Sequence, residues 1–250
     1  MKRFAAVAAT VGFILPILSA QTRAADIILL EGNALNAVME ELGPQFEKAS
    51  GNKIVATLGT SAQIKAKVES GEAFDAALLA KGTLEDLTKA GKFSASPQAA
   101  VAKAGIGVAI RKGAPKPDLG SVDAFKQAML NAKSIGFVDN TPTGNALKAI
   151  FARLGIADQV NPKLKPLHIQ AAVAVTNGDV DIAMTQISEI LPYPGAELAG
   201  PLPPDIQTYT TFSAGVNANA KNADAAAALI KFLTAPAAAA VIKAKGMEPG

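Results

Sequence analysis

Four short segments place small polar residues where an apolar run gives way to a helical pattern. They are EGNAL around Asn33 and Ala34, LGTSAQ around Thr60 and Ser61, NTPTGN around Thr143 and Gly144, and HIQAA around Ile169 and Gln170. The first turn of a helix leaves backbone N–H groups without an internal partner, and the helix dipole puts positive potential at that end. Together they favour an anion, and hydroxyls or side-chain amides add hydrogen bonds without the point charge of a lysine. One such junction means little, because Ser, Thr and Asn cap helices in most proteins. Four in one chain point to an anion site assembled from several loops.

The elements that must position these loops follow from the spacing of apolar residues. DIILLEG reads as a strand, ALNAVMEELGPQFEKAS as a helix with Leu35, Val38, Met39, Leu42 and Phe46 on one face, and KIVATLG as the next strand. The alternation continues through SAQIKAKVESG, FDAALLA, TLEDLTKAG and GIGVAIRKG, and again through SVDAFKQAMLNA, SIGFVD, TGNALKAIFARLG, KPLHI, QAAVAVTNGD and VDIAMTQ. This grammar predicts an α/β protein with mixed, mostly parallel sheets and helices on both faces. RKGAPKPDLGS and LPYPGAELAGPLPPDIQ interrupt it with prolines and glycines. The chain is therefore expected to form two lobes: residues 25–106 and a return segment 209–250 in the first, residues 107–208 in the second. Ligands of open α/β sheets sit at the carboxyl ends of strands, where the four polar junctions lie. The alanine runs of the return segment read as close helix packing, with low-complexity disorder the weaker alternative.

Residues 1–24 have the form of a secretory leader: a basic Met1-Lys2-Arg3 head, then an uncharged apolar run over residues 4–20 that is too short to span a bilayer comfortably. Cleavage after Ala24 puts Thr22 and Ala24 at the small-residue positions; cleavage after Ala20 puts Leu18 there instead. The expected location is the periplasm, with no stable membrane insertion once the leader is removed. Loss of Lys2, Arg3 and Arg23 leaves 21 basic residues against 21 acidic ones, so the apparent excess of +3 disappears. No Lys/Arg patch interleaved with aromatics remains, and nucleic acid is not an expected partner. With no cysteine, disulfides, thiolate chemistry and Cys-ligated metals are excluded. His168 is the only histidine, Asp179 and Asp181 in NGDVDI read first as turn residues, and NTPTGN lacks the pattern of a phosphate-binding loop. Neither metal nor cofactor is expected, and the chain is expected to be a monomer. Tyr193 and Tyr209 flank the proline-rich segment and are expected to pack there.

LGTSAQIKAKVESGEAFDAALLA, VDNTPTGNALKAIFARLG and HIQAAVAVTNGDVDIAMTQ together resemble the molybdate-binding protein family, the periplasmic anion-binding proteins of ABC importers. The resemblance implies a two-lobed solute-binding fold, a small anionic ligand and a membrane permease as partner. It places Ser61 where a family serine donates hydroxyl and amide to the oxyanion, and places amides near Thr143 and at Ile169 on the second lobe. Two positions depart from the pattern: Ala34 stands where a serine is common, and Gln186 where a tyrosine reaches the tetrahedral oxyanion. A glutamine offers donor and acceptor together, which suits a ligand with its own hydroxyl or carboxylic edge. QISEILPYPGAELAGPLPPDIQ is similar to a subgroup that serves organic acids and includes aconitate isomerase. Two functions follow as expectations. One is capture of an organic polycarboxylate or oxyanion for import; the alternative is isomerase chemistry, in which a base at an allylic carbon shifts a double bond. Glu31, Glu189 and His168 are the candidate bases, with none assigned. A chemosensory or scaffolding role is a third class.

Overall fold

The computed structural model describes residues 24–168 and 170–250, without the side chains of Ser96 and Pro97; the expected leader, apart from Ala24, lies outside the described residues. The chain runs β1 (Asp26–Gly32), α1 (Asn36–Ser50), β2 (Lys53–Gly59), α2 (Ser61–Glu69), β3 (Ala76–Ala80), α3 (Lys81–Lys89) and β4 (Phe93–Arg111). It continues with α4 (Val122–Asn131), β5 (Ile135–Phe137), α5 (Pro142–Arg153), α6 (Ala157–Val160), β6 (Leu164–Pro166), α7 (Ala171–Asn177), β7 (Ile182–Gln186) and β8 (Ala196–Pro201). The last elements are β9 (Tyr209–Asn217), α8 (Ala223–Leu233), α9 (Ala239–Ala244) and β10 (Met247–Pro249).

The strands follow the order β2-β1-β3-β9-β4-β7-β5-β6, with β8 and β10 also paired to β4. β1 runs parallel to β2 and β3, and β5 runs parallel to β6 and β7, whereas all pairings of β4 and β9 are antiparallel. Both halves are therefore mixed α/β sheets, and the two halves share one long strand.

β4 changes partners along its length. Residues 93–105 pair with β9 and residues 106–110 with β7. At the switch the side chain of Gln207 completes the ladder: Ile106 N–H donates to its Oε1 and its Nε2 donates to Ile106 O, both at 2.9 Å. The hydrophobic cores divide at the same point. Val101, Ala102 and Ala104 pack with β1, α1, β9 and α8, while Ile106, Val108 and Ile110 pack with α4, α5 and β7. Two further clusters cover the opposite faces, one under α2 and α3 with Phe74 and Phe93, the other under α7.

The local rules act as expected in α1, where Leu35, Val38, Met39, Leu42 and Phe46 are all buried and Gly51, at φ 75°, ends the helix in the left-handed conformation. The alanine-rich return segment forms α8 and α9, with Ala226, Leu229, Ile230 and Leu233 in the first core. Among the described residues no single helix is long and apolar enough to cross a membrane. Two strands differ from the sequence reading. β4 begins at Phe93 rather than near Gly105, and β8 lies inside the proline-rich segment. β8 pairs only with β4, so its ending at Pro201 costs no second ladder.

Asp75, buried at the start of β3, joins the early chain to the return segment. Its carboxylate accepts from Ile28 N–H at 3.0 Å, from Asn222 N–H at 2.9 Å and from Asn222 Nδ2 at 3.3 Å. Asp75→Ala leaves these donors without their acceptor and should lower unfolding stability by roughly 1–3 kcal/mol. Urea denaturation measures this, and an unchanged midpoint would mean that water replaces the carboxylate.

Candidate functional site

The gap between the two halves contains about 620 Å3 of empty space, part of it open to solvent. Its walls include Asn33, Ala34, Thr60 and Ser61 from the first half and Thr143, Gln170 and Gln186 from the second. Seven of the nine residues expected at a ligand site therefore meet around one cleft. Gly144 is not in the wall, and Ile169 lies outside the described residues.

Each wall segment is held by its own local chemistry. Thr60 caps α2 through a reciprocal pair of bonds: Gln63 N–H donates to Thr60 Oγ1 at 3.3 Å, and Thr60 N–H donates to Gln63 Oε1 at 2.8 Å. The Thr60 hydroxyl and amide are thus engaged within the cap, and Ser61 opens the helix beside the cleft. Thr141 caps α5, its hydroxyl donating to Val138 O at 2.8 Å and accepting from Gly144 N–H at 3.0 Å. This bond turns the Gly144 amide inward. The glycine is needed for space, since a Cβ there would stand 2.4 Å from Val138 O. Pro142 has no N–H, which leaves Thr143 as the first amide of α5. Asn33 and Ala34 lie in a 3-10 turn at the end of β1, and Gln170 precedes α7 without a side-chain cap.

The polar end of the cleft is built on β7 and the turn after it. Gln186 is buried; its Nε2 reaches Thr143 Oγ1 at 3.4 Å, and its Oε1 has no hydrogen-bond partner among the described residues. Thr185 donates its hydroxyl to Glu189 Oε2. Glu189 lines the cleft, and burial raises its carboxyl above the usual range against the opposing pull of Thr185 and the Gln186 backbone N–H. Burial, with Glu189 and Glu40 nearby, raises the Tyr193 phenol as well. Among the described residues no lysine, arginine or histidine lines the cleft, so Glu189 is its one ionisable side chain.

The other candidates lie elsewhere. Glu31 faces a separate groove beside α1 with Asn36, Glu40 and Glu47. It is buried, its Oε1 is unpartnered among the described residues, and burial followed by the charge of Glu40 pushes its carboxyl up to about 8. His168 is exposed and outside the cleft wall. Asp181 accepts from Lys133 N–H, a turn role, and among the described residues no group of three or more acidic or histidine side chains is placed to hold a metal. Tyr209 packs over Gly105. Thr185, Met184 and Phe212 belong to the wall but were not expected from sequence. They sit within strands, where no turn or cap signature marks them; for Met184 and Thr185 the nearest signal is the alternation of VDIAMTQ.

Residues 28–248 match the bacterial extracellular solute-binding protein family, and the chain belongs to it. It is 27% identical over 240 residues to an aconitate isomerase of a Pseudomonas species, covering 94% of this chain and 91% of that protein. It is 26% identical over 237 residues to the molybdate-binding protein ModA of Azotobacter vinelandii, covering 92% of each. The solved structure of an Azotobacter vinelandii periplasmic molybdate-binding protein superposes with a TM-score of 0.77 at 18% identity, covering 90% of this chain and 99% of that one, which is a likeness of fold.

Glu31 couples folding to pH. Its folded-state value of about 8 exceeds the ordinary 4.5, so across that interval the folded protein holds a proton that the unfolded chain has released. Stability should therefore fall as pH rises through this window and level off above it, with a slope of at most about 1.4 kcal/mol per pH unit from this group. Glu189 acts in the same direction. Glu31→Gln should reduce the slope without abolishing it in urea titrations from about pH 5 to 8. An unchanged slope would mean that Glu31 is already ionised in the folded protein.

Proposed function

We propose that the protein is a periplasmic receptor that captures a small organic polycarboxylate and delivers it to an ABC permease. The carrying observation is a cleft with hydrogen-bonding groups from both halves and no cationic side chain among the described residues. Ser61 at the start of α2, Thr143 at the start of α5 and the turn at Asn33 bring partial positive charge and donors from opposite sides. Closure of the halves buries the anion, and opening against the permease releases it. The leader-like residues 1–24 support export, and the balance of 21 basic and 21 acidic residues after their removal leaves selection to the cleft.

The polar end favours a carboxylic ligand over a bare tetraoxyanion. Ala34 offers no hydroxyl, Gln186 holds an acceptor unpartnered among the described residues, and Glu189 adds a carboxyl. A tetraoxyanion has only acceptors, whereas a partly protonated or hydroxylated polycarboxylate can donate to Gln186 Oε1. The similarity to an aconitate isomerase agrees with this class of ligand.

Glu189 also favours a second reading, isomerisation of the captured acid. Its carboxylate form would take a proton from the CH2 carbon of trans-aconitate, leaving an allylic carbanion that the surrounding amides stabilise. Return of that proton to the far allylic carbon moves the double bond and yields cis-aconitate without any external oxidant or reductant. A carboxyl raised by burial is suited to both halves of the exchange.

Thermal-shift titration with citrate, tricarballylate, both aconitate isomers, molybdate and sulfate tests the ligand class. Saturable stabilisation by a polycarboxylate is expected, and a response to molybdate or sulfate alone would overturn it. Ser61→Ala should weaken that binding by roughly 1–3 kcal/mol, about 5- to 150-fold in Kd; an unchanged Kd would remove Ser61 from the site. Proton NMR of trans-aconitate left with the protein separates the readings. An unchanged spectrum supports the receptor, and many equivalents of cis-aconitate establish the enzyme.

A further inference from the structure

We infer that the cleft takes up its anion together with a proton, which Glu189 holds against the bound ligand. This rests on the anion-capture reading. The geometry sets up a conflict: a cleft that receives negative charge carries, among the described residues, one ionisable side chain in its wall, and that side chain is an acid. An ionised Glu189 beside a ligand carboxylate would place two like charges in contact with no cation to separate them, an arrangement in which one of the pair is protonated. A neutral carboxyl removes the repulsion and supplies a hydrogen-bond donor. Thr185 fixes the group by donating its hydroxyl to Oε2. The unpartnered Gln186 Oε1, from the adjacent end of β7, leaves room for a second donor on the ligand.

No neighbouring group takes over this role. Tyr193, just beyond Glu189, and Glu40 on α1 are acidic, as is Glu31 on β1. Asp139, in the loop before α5, and Lys148, within that helix, pair with each other at 2.6 Å, and Lys245, next to the Gly246 that packs on Ile187, pairs with Glu41 at 2.8 Å. The wall residues of β7, β9 and α7 bring no ionisable group among the described residues. The rise in the Glu189 carboxyl caused by burial agrees with a proton held there. Above the pKa of free Glu189 each binding event must draw a proton from solvent, so affinity falls by up to about tenfold per pH unit. His168, the single histidine of the chain, is exposed in the segment leading to Gln170 and lies outside the cleft wall.

The test is isothermal titration calorimetry of the mature protein with trans-aconitate, citrate and tricarballylate. Pairs of buffers that differ in ionisation heat are used at several pH values between about 5 and 9, where the difference in heat counts protons. The expected result is uptake approaching one proton per ligand at the alkaline end, retained in His168→Gln. It should be lost in Glu189→Gln, whose affinity should vary little with pH. Binding by the wild-type protein with no proton uptake overturns the inference without needing any variant, and uptake that persists in folded Glu189→Gln overturns it as well. Failure of the polycarboxylate reading looks different: no heat with the three acids, but saturable heat with molybdate or sulfate, whose proton count then decides the inference in the same way. If no anion binds, both readings fall.

Discussion

The architecture depends on a single shared strand. β4 serves one sheet with its first two-thirds and the other with its last third, and it must change hydrogen-bond partners in mid-course. A backbone unit at such a switch risks being buried without partners, a cost comparable to a lost hydrogen bond. Gln207 removes the risk by presenting its side-chain amide to both polar groups of Ile106, in effect a one-residue strand. Gly105 makes room for it, because a Cβ there would stand 3.2 Å from the Tyr209 ring and 3.3 Å from Gln207 Nε2. The two cores divide at this switch, and the cleft lies between the halves.

Helix starts facing that cleft are not interchangeable sources of positive potential. Thr60 and Thr141 each use the hydroxyl to cap, which withdraws the third amide of the helix from the cleft and leaves the earlier ones. On α5 the first of these is missing because Pro142 has no N–H. The donors left to a ligand are therefore few and fixed in direction, and on the proposed reading their number rather than a net charge discriminates between anions. An analogue that fails to meet one of them leaves a buried donor unpaired, at a cost of about 1–3 kcal/mol.

Much of this was legible from sequence because it is written in local patterns. The apolar stripe of α1, the small polar residues at the starts of α2 and α5, and the alternation of strands and helices are short-range features, and the loops that line the cleft follow from them. What stayed hidden depends on distant partners. The first half of β4 is rich in alanine and carries Pro97, a composition with little strand propensity of its own; β9 holds it extended. β8 was masked by the prolines around it, which an edge position tolerates. Phe212 and Thr185 reach the wall from within strands, where alternation tells which face they share but not what that face meets. Gly144 was placed in the site because it opens a helix, and its amide proved to be the one that the cap uses.

The same contrast bears on how this fold moves between capture and chemistry. Dipole ends and amides stabilise negative charge whether it belongs to a resting carboxylate or to a carbanion formed from it, so the donor set alone does not distinguish a receptor from an isomerase. The difference lies in a group able to exchange a proton inside the closed cleft. On the proposed reading Glu189 is that group: the turn after β7 brings its carboxyl to the wall, and the Thr185 hydroxyl on the strand holds one of its oxygens. If a ligand carbon lies beyond reach, the carboxyl can only share its proton with an oxygen of the ligand, and the outcome is binding that responds to pH. If an acidic CH2 lies within hydrogen-bond reach, the same group completes a proton transfer, and exclusion of water by closure protects the intermediate. Receptor and enzyme on this scaffold are then separated by where the ligand's carbon skeleton rests against one side chain, with the cleft otherwise unchanged.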